Sequence, residues 1–189
     1  MAGGRAWLVG GSVRDHLLGL EPKDFDIEVH GIEIDLLREI LDGLGHVNLV
    51  GRSFGVFKLG RGDAVLDVSL PRRDSNAGPG HRGIAVQGDP HMGLFESARR
   101  RDLTINAIAY DPLDNVFADP HGGMADLNAG ILRAVDATTF GEDPLRALRV
   151  VQFAARFGFD VDEKLAELCA EEPLHELPAE RIRMEWEKL

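Results

Sequence analysis

The spacing of hydrophobic residues changes along the chain between two periods, and this change predicts the secondary structure. Within the first 135 residues, short apolar runs and strict alternation predict strands over residues 6–9, 25–29, 47–50, 56–59, 64–70 and 131–135. In the same part, apolar residues at helical spacing predict helices over residues 13–18, 34–44 and 96–109. Strands and helices therefore alternate in the first two thirds of the chain.

The pattern becomes helical from Asp143 onward, with apolar residues on one face between Leu145 and Ala155. Pro173 and Pro178 predict breaks between the helices that follow. We therefore expect an α/β unit over residues 1–139 and a helical unit over residues 140–189.

Turn-forming residues are concentrated between residues 73 and 94, where glycine, proline, asparagine and aspartate recur. A segment of this kind predicts a long loop, and long loops in compact domains are usually functional or mobile. We expect this loop to be mobile.

Composition limits the classes of protein to consider. Hydrophobic residues make up 44% of the chain, but no apolar run approaches the ~20 residues of a membrane span. We expect a soluble, cytoplasmic protein with no membrane partner. Cys169 is the single cysteine, which excludes an internal disulfide and a cysteine-based metal cluster. The net charge of −11 requires any contact with nucleic acid to be local.

The first candidate site is the sequence LVGGSVRD at residues 8–15. A strand that leads through Gly10 and Gly11 into a helix lets backbone N–H groups approach an anion, and Ser12 is expected to cap that helix. This arrangement suits a phosphate. Paired glycines at such a junction can also form only a tight turn.

The second candidate site is the sequence KDFDIEV at residues 23–29. Alternation places Asp24, Asp26 and Glu28 on one side of a strand and the apolar residues on the other. Carboxylates held together on one strand repel each other unless a cation lies between them, and hard oxygen ligands suit Mg²⁺. The alternative is an edge strand with a solvated acidic face, and we assign Glu28 to that alternative.

A third carboxylate, Asp67, interrupts the apolar strand VLDVSL at residues 65–70. Burying an aspartate there is costly unless it is paired or binds a metal. If this strand lies beside residues 25–29, the three carboxylates meet at a two-metal site. A satisfied surface aspartate is the alternative.

With these motifs in place, the chain resembles the DNA polymerase β nucleotidyltransferase superfamily, and within it the class II tRNA nucleotidyltransferases (CCA-adding enzymes) and bacterial poly(A) polymerases. The resemblance rests on residues 8–15 with Asp24 and Asp26, and on three further sequences in the family's order. These are RRDLTINA at residues 100–107, FGEDPLRALR at residues 140–149 and PAERI at residues 178–182.

The resemblance implies an α+β (mixed) fold, with a nucleotidyltransferase head on a mixed sheet over residues 1–139 and an all-α neck over residues 140–189. It implies Mg²⁺ as the cofactor, bound by the catalytic residues Asp24, Asp26 and Asp67. The nucleotide-binding residues that it implies are Gly10, Gly11, Ser12, Arg14, Arg101, Asp102, Asn106, Asp143, Arg146 and Arg149.

The implied reaction is the transfer of CMP and AMP from CTP and ATP to the 3′ end of tRNA by two-metal catalysis. Asp143 and Arg146 are three residues apart, so they share a helix face and are expected to pair. A carboxylate that accepts and a guanidinium that donates suit cytosine and adenine, which present an amino donor beside a ring-nitrogen acceptor. Guanine and uracil present the opposite pattern.

Two departures from the family pattern leave alternatives open. Gln152 stands where the family usually has an arginine, and family members usually continue through helical segments that hold the tRNA, so we expect the chain to be the front of a longer protein. A poly(A) polymerase, or a relative that adds only CC or only A, shares the same motifs. A noncatalytic nucleotide- or RNA-binding module is the alternative from another class.

Overall fold

A computed structural model of the chain describes residues 3–50, 55–62, 64–76 and 84–188. Most of its strands belong to one sheet, and the helices lie between the strands or after them. The strands are β1 (Arg5–Val9), β2 (Asp26–His30), β3 (His46–Val50), β4 (Val56–Arg61), β5 (Ala64–Ser69), β6 (Arg72–Asn76), β7 (Ile84–Gly88), β8 (Ala109–Asp111), β9 (Val116–Ala118), β10 (Ile131–Leu132) and β11 (Asp160–Val161).

Seven α-helices accompany these strands in the described part of the chain, and four of them follow β9. They are α1 (Gly11–Leu17), α2 (Ile34–Asp42), α3 (Leu94–Arg99), α4 (Gly123–Ala129), α5 (Leu145–Phe157), α6 (Glu163–Glu171) and α7 (Ala179–Trp186). Across the described residues, no helix combines the length and apolar character that crossing a bilayer requires.

The main sheet has seven strands in the order β3-β4-β5-β2-β1-β8-β9. β2 and β5 are parallel, and the other neighbouring pairs are antiparallel. The mixed sheet expected from the sequence is therefore confirmed. β2 lies between β5 and β1, so it is an interior strand, and the alternative of an edge strand there is wrong.

Two apolar clusters hold the layers together. One packs α2 against β2 to β5 through residues such as Leu37, Phe57 and Val68. The other joins α1, α4 and the segment before β8 to α5 and α6, with Leu132, Phe140 and Leu165 at most 1% exposed. The helices after Phe140 therefore share a core with the α/β part.

The long loop expected over residues 73–94 is wrong for its described parts. β6 and β7 form an antiparallel hairpin in which Arg72 is registered with Gly88. α3 then begins at Leu94. The β-prone sequence IAV at residues 84–86 is short and lies between turn-forming residues. The prediction of a loop from those turn-forming residues therefore missed this strand. Residues 77–83 lie outside the described residues, and so does the expectation of mobility for them.

The single helix expected over residues 96–109 is also wrong. α3 ends at Arg99, residues 104–106 form one 3-10 turn, and β8 begins at Ala109. Asp102 causes the interruption, because its carboxylate accepts the Leu103 N–H at 2.8 Å and the Asn106 side-chain N–H at 2.9 Å. Such local side-chain bonds compete with a continuous helix. The strand expected over residues 131–135 is shorter and comprises β10 alone.

Candidate active site

A cleft of about 850 Å³ opens beside the ends of β1 and β2 and is bounded on its other side by α5. This volume falls within the range of about 300–1,000 Å³ that is usual for small-molecule sites. The cleft brings together twelve of the predicted site residues: Gly10, Gly11, Ser12, Arg14, Asp24, Asp26, Arg101, Asp102, Asn106, Asp143, Arg146 and Arg149. Asp67 is the predicted site residue outside this lining.

The cleft also includes residues that were not among the predicted site residues. On α5, Phe153 and Arg156 continue the helix face of Arg149 and Gln152, so their helical spacing was a usable signal. The remaining additions are Asp15, Lys23, Arg100, Glu187 and Lys188. The lining contains eight Lys or Arg and six Asp or Glu, so the cleft is locally positive within a chain of net charge −11. It therefore suits an anionic ligand.

Gly10 allows two charged side chains to approach the strand–helix junction. Its φ of 78° lies in the left-handed region that favours glycine. A Cβ at this position would lie 3.1 Å from Arg101 Nη1 and 3.3 Å from Asp26 Oδ2. α1 begins at Gly11, and the Ser12 hydroxyl donates to the Val9 carbonyl at 3.2 Å. The expectation that Ser12 caps the helix is therefore wrong, since Gly10 occupies that position.

Asp26 interacts with both Asp24 and Asp67 at one end of the parallel strand pair. Asp26 is registered with Asp67, and the Asp67 N–H donates to the Phe25 carbonyl at 3.2 Å. Burial is the main cause that raises the pKa of Asp26, and the positive charge of Arg101 opposes it. The carboxylates of Asp67 and Asp24 raise this pKa further. Such repulsion is relieved when a cation binds between the carboxylates.

Asp67 has a protein cation as its partner. Lys58 Nζ donates to Asp67 Oδ1 at 2.8 Å and to Oδ2 at 3.1 Å, and Asp67 raises the pKa of Lys58. No three His, Cys, Asp or Glu side chains in the described ranges are arranged as a metal-binding cluster. Asp24 and Asp26 are the carboxylates of the predicted triad that face the cleft. Their oxygen donors and mutual repulsion fit a hard cation such as Mg²⁺.

Glu28 is buried, which contradicts its assignment to a solvated acidic face. Only 1% of the residue is exposed, because β2 is interior and α3 and the turn after it cover this side. Its Oε1 lies 3.0 Å from His30 Nε2, and its Oε2 accepts Arg100 Nη2 at 3.3 Å. Burial alone raises the pKa of Glu28, but the His30 hydrogen bond and the charges of Arg101 and Arg100 lower it to about 2. Glu28 is therefore an ionised interior carboxylate.

Arg101 differs from the other arginines of the cleft. Its guanidinium makes no hydrogen bond or salt bridge to another described residue, whereas Arg14, Arg100, Arg146, Arg149 and Arg156 each have partners. Burial and the neighbouring charge of Arg100 lower the pKa of Arg101 to about 10, so it stays protonated at neutral pH. A charged guanidinium without a protein partner is suited to phosphate oxygens.

Arg14 is engaged inside the protein, although the resemblance implies that it contacts the nucleotide. The residue is 4% exposed and donates to Asp15 Oδ1 at 2.8 and 2.6 Å and to Asn106 Oδ1 at 2.6 Å. Its guanidinium carbon lies 4.7 and 5.0 Å from the ring centroids of Phe153 and Phe157. Burial lowers its pKa, and Asp15 opposes this. These contacts tie α1 to α5.

Asp102 forms a second link between the α/β part and α5. Its Oδ2 accepts Arg149 Nε at 2.7 Å, and its Oδ1 accepts the Leu103 N–H and the Asn106 amide. Burial raises the pKa of Asp102, but the charge and hydrogen bond of Arg149 and the bond from Asn106 outweigh this, so the pKa is lowered. Asn106 therefore stands between Arg14 and Asp102 in one continuous polar network.

Asp143 and Arg146 both line the cleft, but the expectation that they pair with each other is wrong. Arg146 donates to the carbonyls of Thr139 at 2.7 Å and Arg100 at 2.8 Å. The salt bridge of Asp143 is with Arg181 at 2.9 Å. Asp143 precedes α5, so helical spacing does not apply to it. Arg181 belongs to the PAERI sequence, which thereby gains a structural role.

Taken together, the mixed sheet, the carboxylates at its central parallel strands and the glycine junction beside them define the head of a nucleotidyltransferase. The family described as the Poly A polymerase head domain matches residues 6–133. The chain belongs to this family.

Known proteins support the assignment. The chain is 45% identical over 168 residues to the multifunctional CCA protein of Nitrosomonas eutropha, covering 88% of this chain and 38% of that protein. It superimposes with a TM-score of 0.83 and 30% identity on the Bacillus stearothermophilus CCA-adding enzyme in complex with CTP, over 98% of this chain and 44% of that one. A tRNA nucleotidyltransferase complexed with a primer tRNA and an incoming ATP analogue gives a TM-score of 0.77 at 33% identity, covering 98% and 52%. The chain spans about half or less of the length of these proteins.

Proposed function

We propose that the chain carries the catalytic site of a Mg²⁺-dependent tRNA nucleotidyltransferase, which adds CMP and AMP to the 3′ end of tRNA from CTP and ATP. The observation that carries this proposal is one cleft that contains the carboxylates of Asp24 and Asp26 together with the Arg101 guanidinium, which has no hydrogen-bond partner among the described residues. The relatives named as CCA proteins and CCA-adding enzymes point to the same activity.

The phosphates of the nucleotide have a defined place in this proposal. Arg101 supplies charged donors to the triphosphate, and the missing side chain at Gly10 leaves room for it beside Asp26. Asp24 and Asp26 would hold Mg²⁺, with Asp67 next to them on β5. When bound, the metal would lower the pKa of the RNA 3′-hydroxyl and neutralise the leaving pyrophosphate. The protein contributes mainly positioning and fixed charge.

Base selection is assigned to Asp143 and Arg146 at the other side of the cleft. Arg146 is held by two backbone carbonyls and Asp143 by Arg181, so each side chain is oriented independently of the other. An acceptor and a donor held in this way suit cytosine and adenine and oppose guanine and uracil. Gln152, which is 4% exposed, adds a neutral amide to the same wall.

We infer the division of the chain that was expected from the sequence, with a head over residues 1–139 and a neck over residues 140–189. The nucleotide would bind between these two parts. RNA would approach the positive cleft and avoid the acidic surface elsewhere. Because its substrates are tRNA and nucleoside triphosphates, we assign the reaction to the cytoplasm.

Sequencing of RNA ends tests this proposal. The protein is incubated with Mg²⁺ and CTP, ATP, both together, or GTP and UTP, on a tRNA that ends before its CCA. We expect CCA and then a stop with CTP and ATP, and no addition with GTP or UTP. Long A tails, or only CC or A, would reassign the activity within the family. Mg²⁺-dependent binding of CTP without any addition would favour the noncatalytic alternative.

A further inference from the structure

We infer that Glu28 is a positioning residue that holds Arg100 back from the carboxylates Asp24 and Asp26, and so leaves these oxygens for the metal. This inference rests on the function proposed above. It separates the tasks of two adjacent arginines: Arg100 pairs with Glu28 in the wall of the cleft, and Arg101 binds the ligand.

The structure distinguishes the two arginines clearly. Both line the cleft, but the Arg100 side chain is 19% exposed and is bound to Glu28, whereas the Arg101 guanidinium makes no hydrogen bond to another described residue. The bond that holds Arg100 is a single one, with an Nη2–Oε2 distance of 3.3 Å. Arg100 Nε is buried and has no hydrogen-bond partner among the described residues. Arg100 is therefore held mainly by the negative charge of Glu28, because only one hydrogen bond joins its guanidinium to that carboxylate.

Glu28 is fixed from its other side. Its Oε1 lies 3.0 Å from His30 Nε2, and His30 Nδ1 lies 2.8 Å from the Met92 carbonyl. Only 2% of the Glu28 side chain is exposed, so water does not screen its charge. This carboxylate is a rigid counter-charge rather than part of a solvated surface.

Removing that counter-charge would redirect Arg100. A buried guanidinium left beside Arg101 without an anion is strongly disfavoured and moves toward the nearest carboxylate. Asp26 lies two residues before Glu28 on the same strand face, roughly 7 Å away along the strand. Arg100 would then compete with Mg²⁺ for the Asp26 oxygens.

The test compares wild type with Glu28→Gln, Arg100→Gln and the double variant that combines both changes. Glutamine keeps the shape of Glu28 and an oxygen that faces His30, and thermal unfolding checks that each variant is folded. For each protein, CTP binding is measured by equilibrium dialysis across a range of Mg²⁺ concentrations. Transfer of CMP to tRNA is measured across the same range.

We expect Glu28→Gln to raise the Mg²⁺ concentration for half-maximal CTP binding and transfer by about tenfold, while CTP affinity at saturating Mg²⁺ changes little. Arg100→Gln is the reference for the double variant, because both proteins lack this positive charge of the cleft. The double variant should require a Mg²⁺ concentration within about twofold of that for Arg100→Gln, because Glu28→Gln has no competing cation to release when Arg100 is absent.

A Mg²⁺ requirement that is unchanged in folded Glu28→Gln, or one that the double variant still raises relative to Arg100→Gln, would overturn the inference. A merely structural role of Glu28 would lower the folded fraction without moving the Mg²⁺ midpoint. Because CTP binding is read separately, a wild-type protein that binds CTP but transfers nothing would contradict the proposed function while still testing Glu28. CTP binding by wild type that does not depend on Mg²⁺ would count against the inference itself.

Discussion

At the scale of single residues, the motif side chains in the cleft are of two kinds. Some are hydrogen-bonded to other protein groups, and others are available to bind a ligand. Arg14 and Asp102 belong to the predicted nucleotide-binding set, yet their polar atoms are used by Asp15, Asn106 and Arg149. Arg101 has no such partner. We therefore expect substitutions within one motif to act in different ways, on binding or on stability.

Arg101→Gln should weaken nucleotide binding without unfolding the protein. A hydrogen bond from a charged group contributes about 1.5–3 kcal/mol, so we expect the KM values for CTP and ATP to rise about 10- to 100-fold. The unfolding midpoint in urea should stay within the error of wild type, since the Arg101 side chain has no hydrogen bond to lose among the described residues and its backbone N–H bond to the Ala98 carbonyl is kept. Steady-state kinetics and urea unfolding measure the two effects. An unchanged KM would exclude Arg101 from the phosphate site.

Twelve of the thirteen site residues predicted from the sequence motifs line one cleft, and their binding and catalytic roles stay predictions. Asp24, Asp26 and Arg101 lie where the motifs implied. Glu28 was misassigned for a physical reason: alternation tells which face of a strand a side chain takes, but not what covers that face. Its cover comes from Arg100 and His30, and the former is 72 residues away in sequence.

At the scale of secondary-structure elements, the polar network around Asn106 connects α1 to α5. Asn106 accepts from Arg14 and donates to Asp102, which in turn accepts from Arg149. A network of buried groups depends on every member being satisfied. The hydrogen bonds of Asp102 to Leu103 and Asn106 also interrupt the helix that was expected over residues 96–109. Apolar periodicity alone could not show this, because the interruption comes from side-chain hydrogen bonds.

Asn106→Ala should destabilise the protein by about 2–4 kcal/mol, because it leaves buried donors and acceptors on Arg14 and Asp102 without a partner. Urea unfolding measures the free-energy change. Asn48→Ala is the matched control, since Asn48 is exposed on β3 and should change stability by about 0.5 kcal/mol or less. Equal effects of the two changes would refute the role of the network.

At the scale of the whole molecule, one apolar cluster crosses the predicted boundary near Phe140. Phe140 is fully buried, and Leu165 of α6 is 1% exposed in the same cluster as Val13 of α1. The sequence pattern correctly predicted that the chain becomes helical near Phe140. It could not show that the α/β part and the helical part share one core. Shared burial of this kind predicts a single cooperative unfolding transition.

Leu165→Ala should therefore lower the stability of the entire chain. We expect a loss of about 2–5 kcal/mol, with fluorescence and far-UV circular dichroism changing together in urea. Leu113→Ala provides the control, because Leu113 is 92% exposed and its loss should cost about 0.5 kcal/mol or less. Two separate transitions, with only one of them shifted, would show that the two parts fold independently.

The most direct measurement of the central claim is single-turnover transfer of labelled CMP to a tRNA that ends before its CCA. Wild type, Asp26→Asn and the control Asp42→Asn are compared with Mg²⁺ and with a chelator. Asp42 is an exposed acid on α2, so its change alters the net charge equally but lies outside the cleft lining.

We predict Mg²⁺-dependent transfer by wild type and by Asp42→Asn, and a loss of about a thousandfold or more in folded Asp26→Asn. Undiminished transfer by Asp26→Asn, or transfer by wild type that persists in the chelator, would contradict the assignment of the metal site to this cleft.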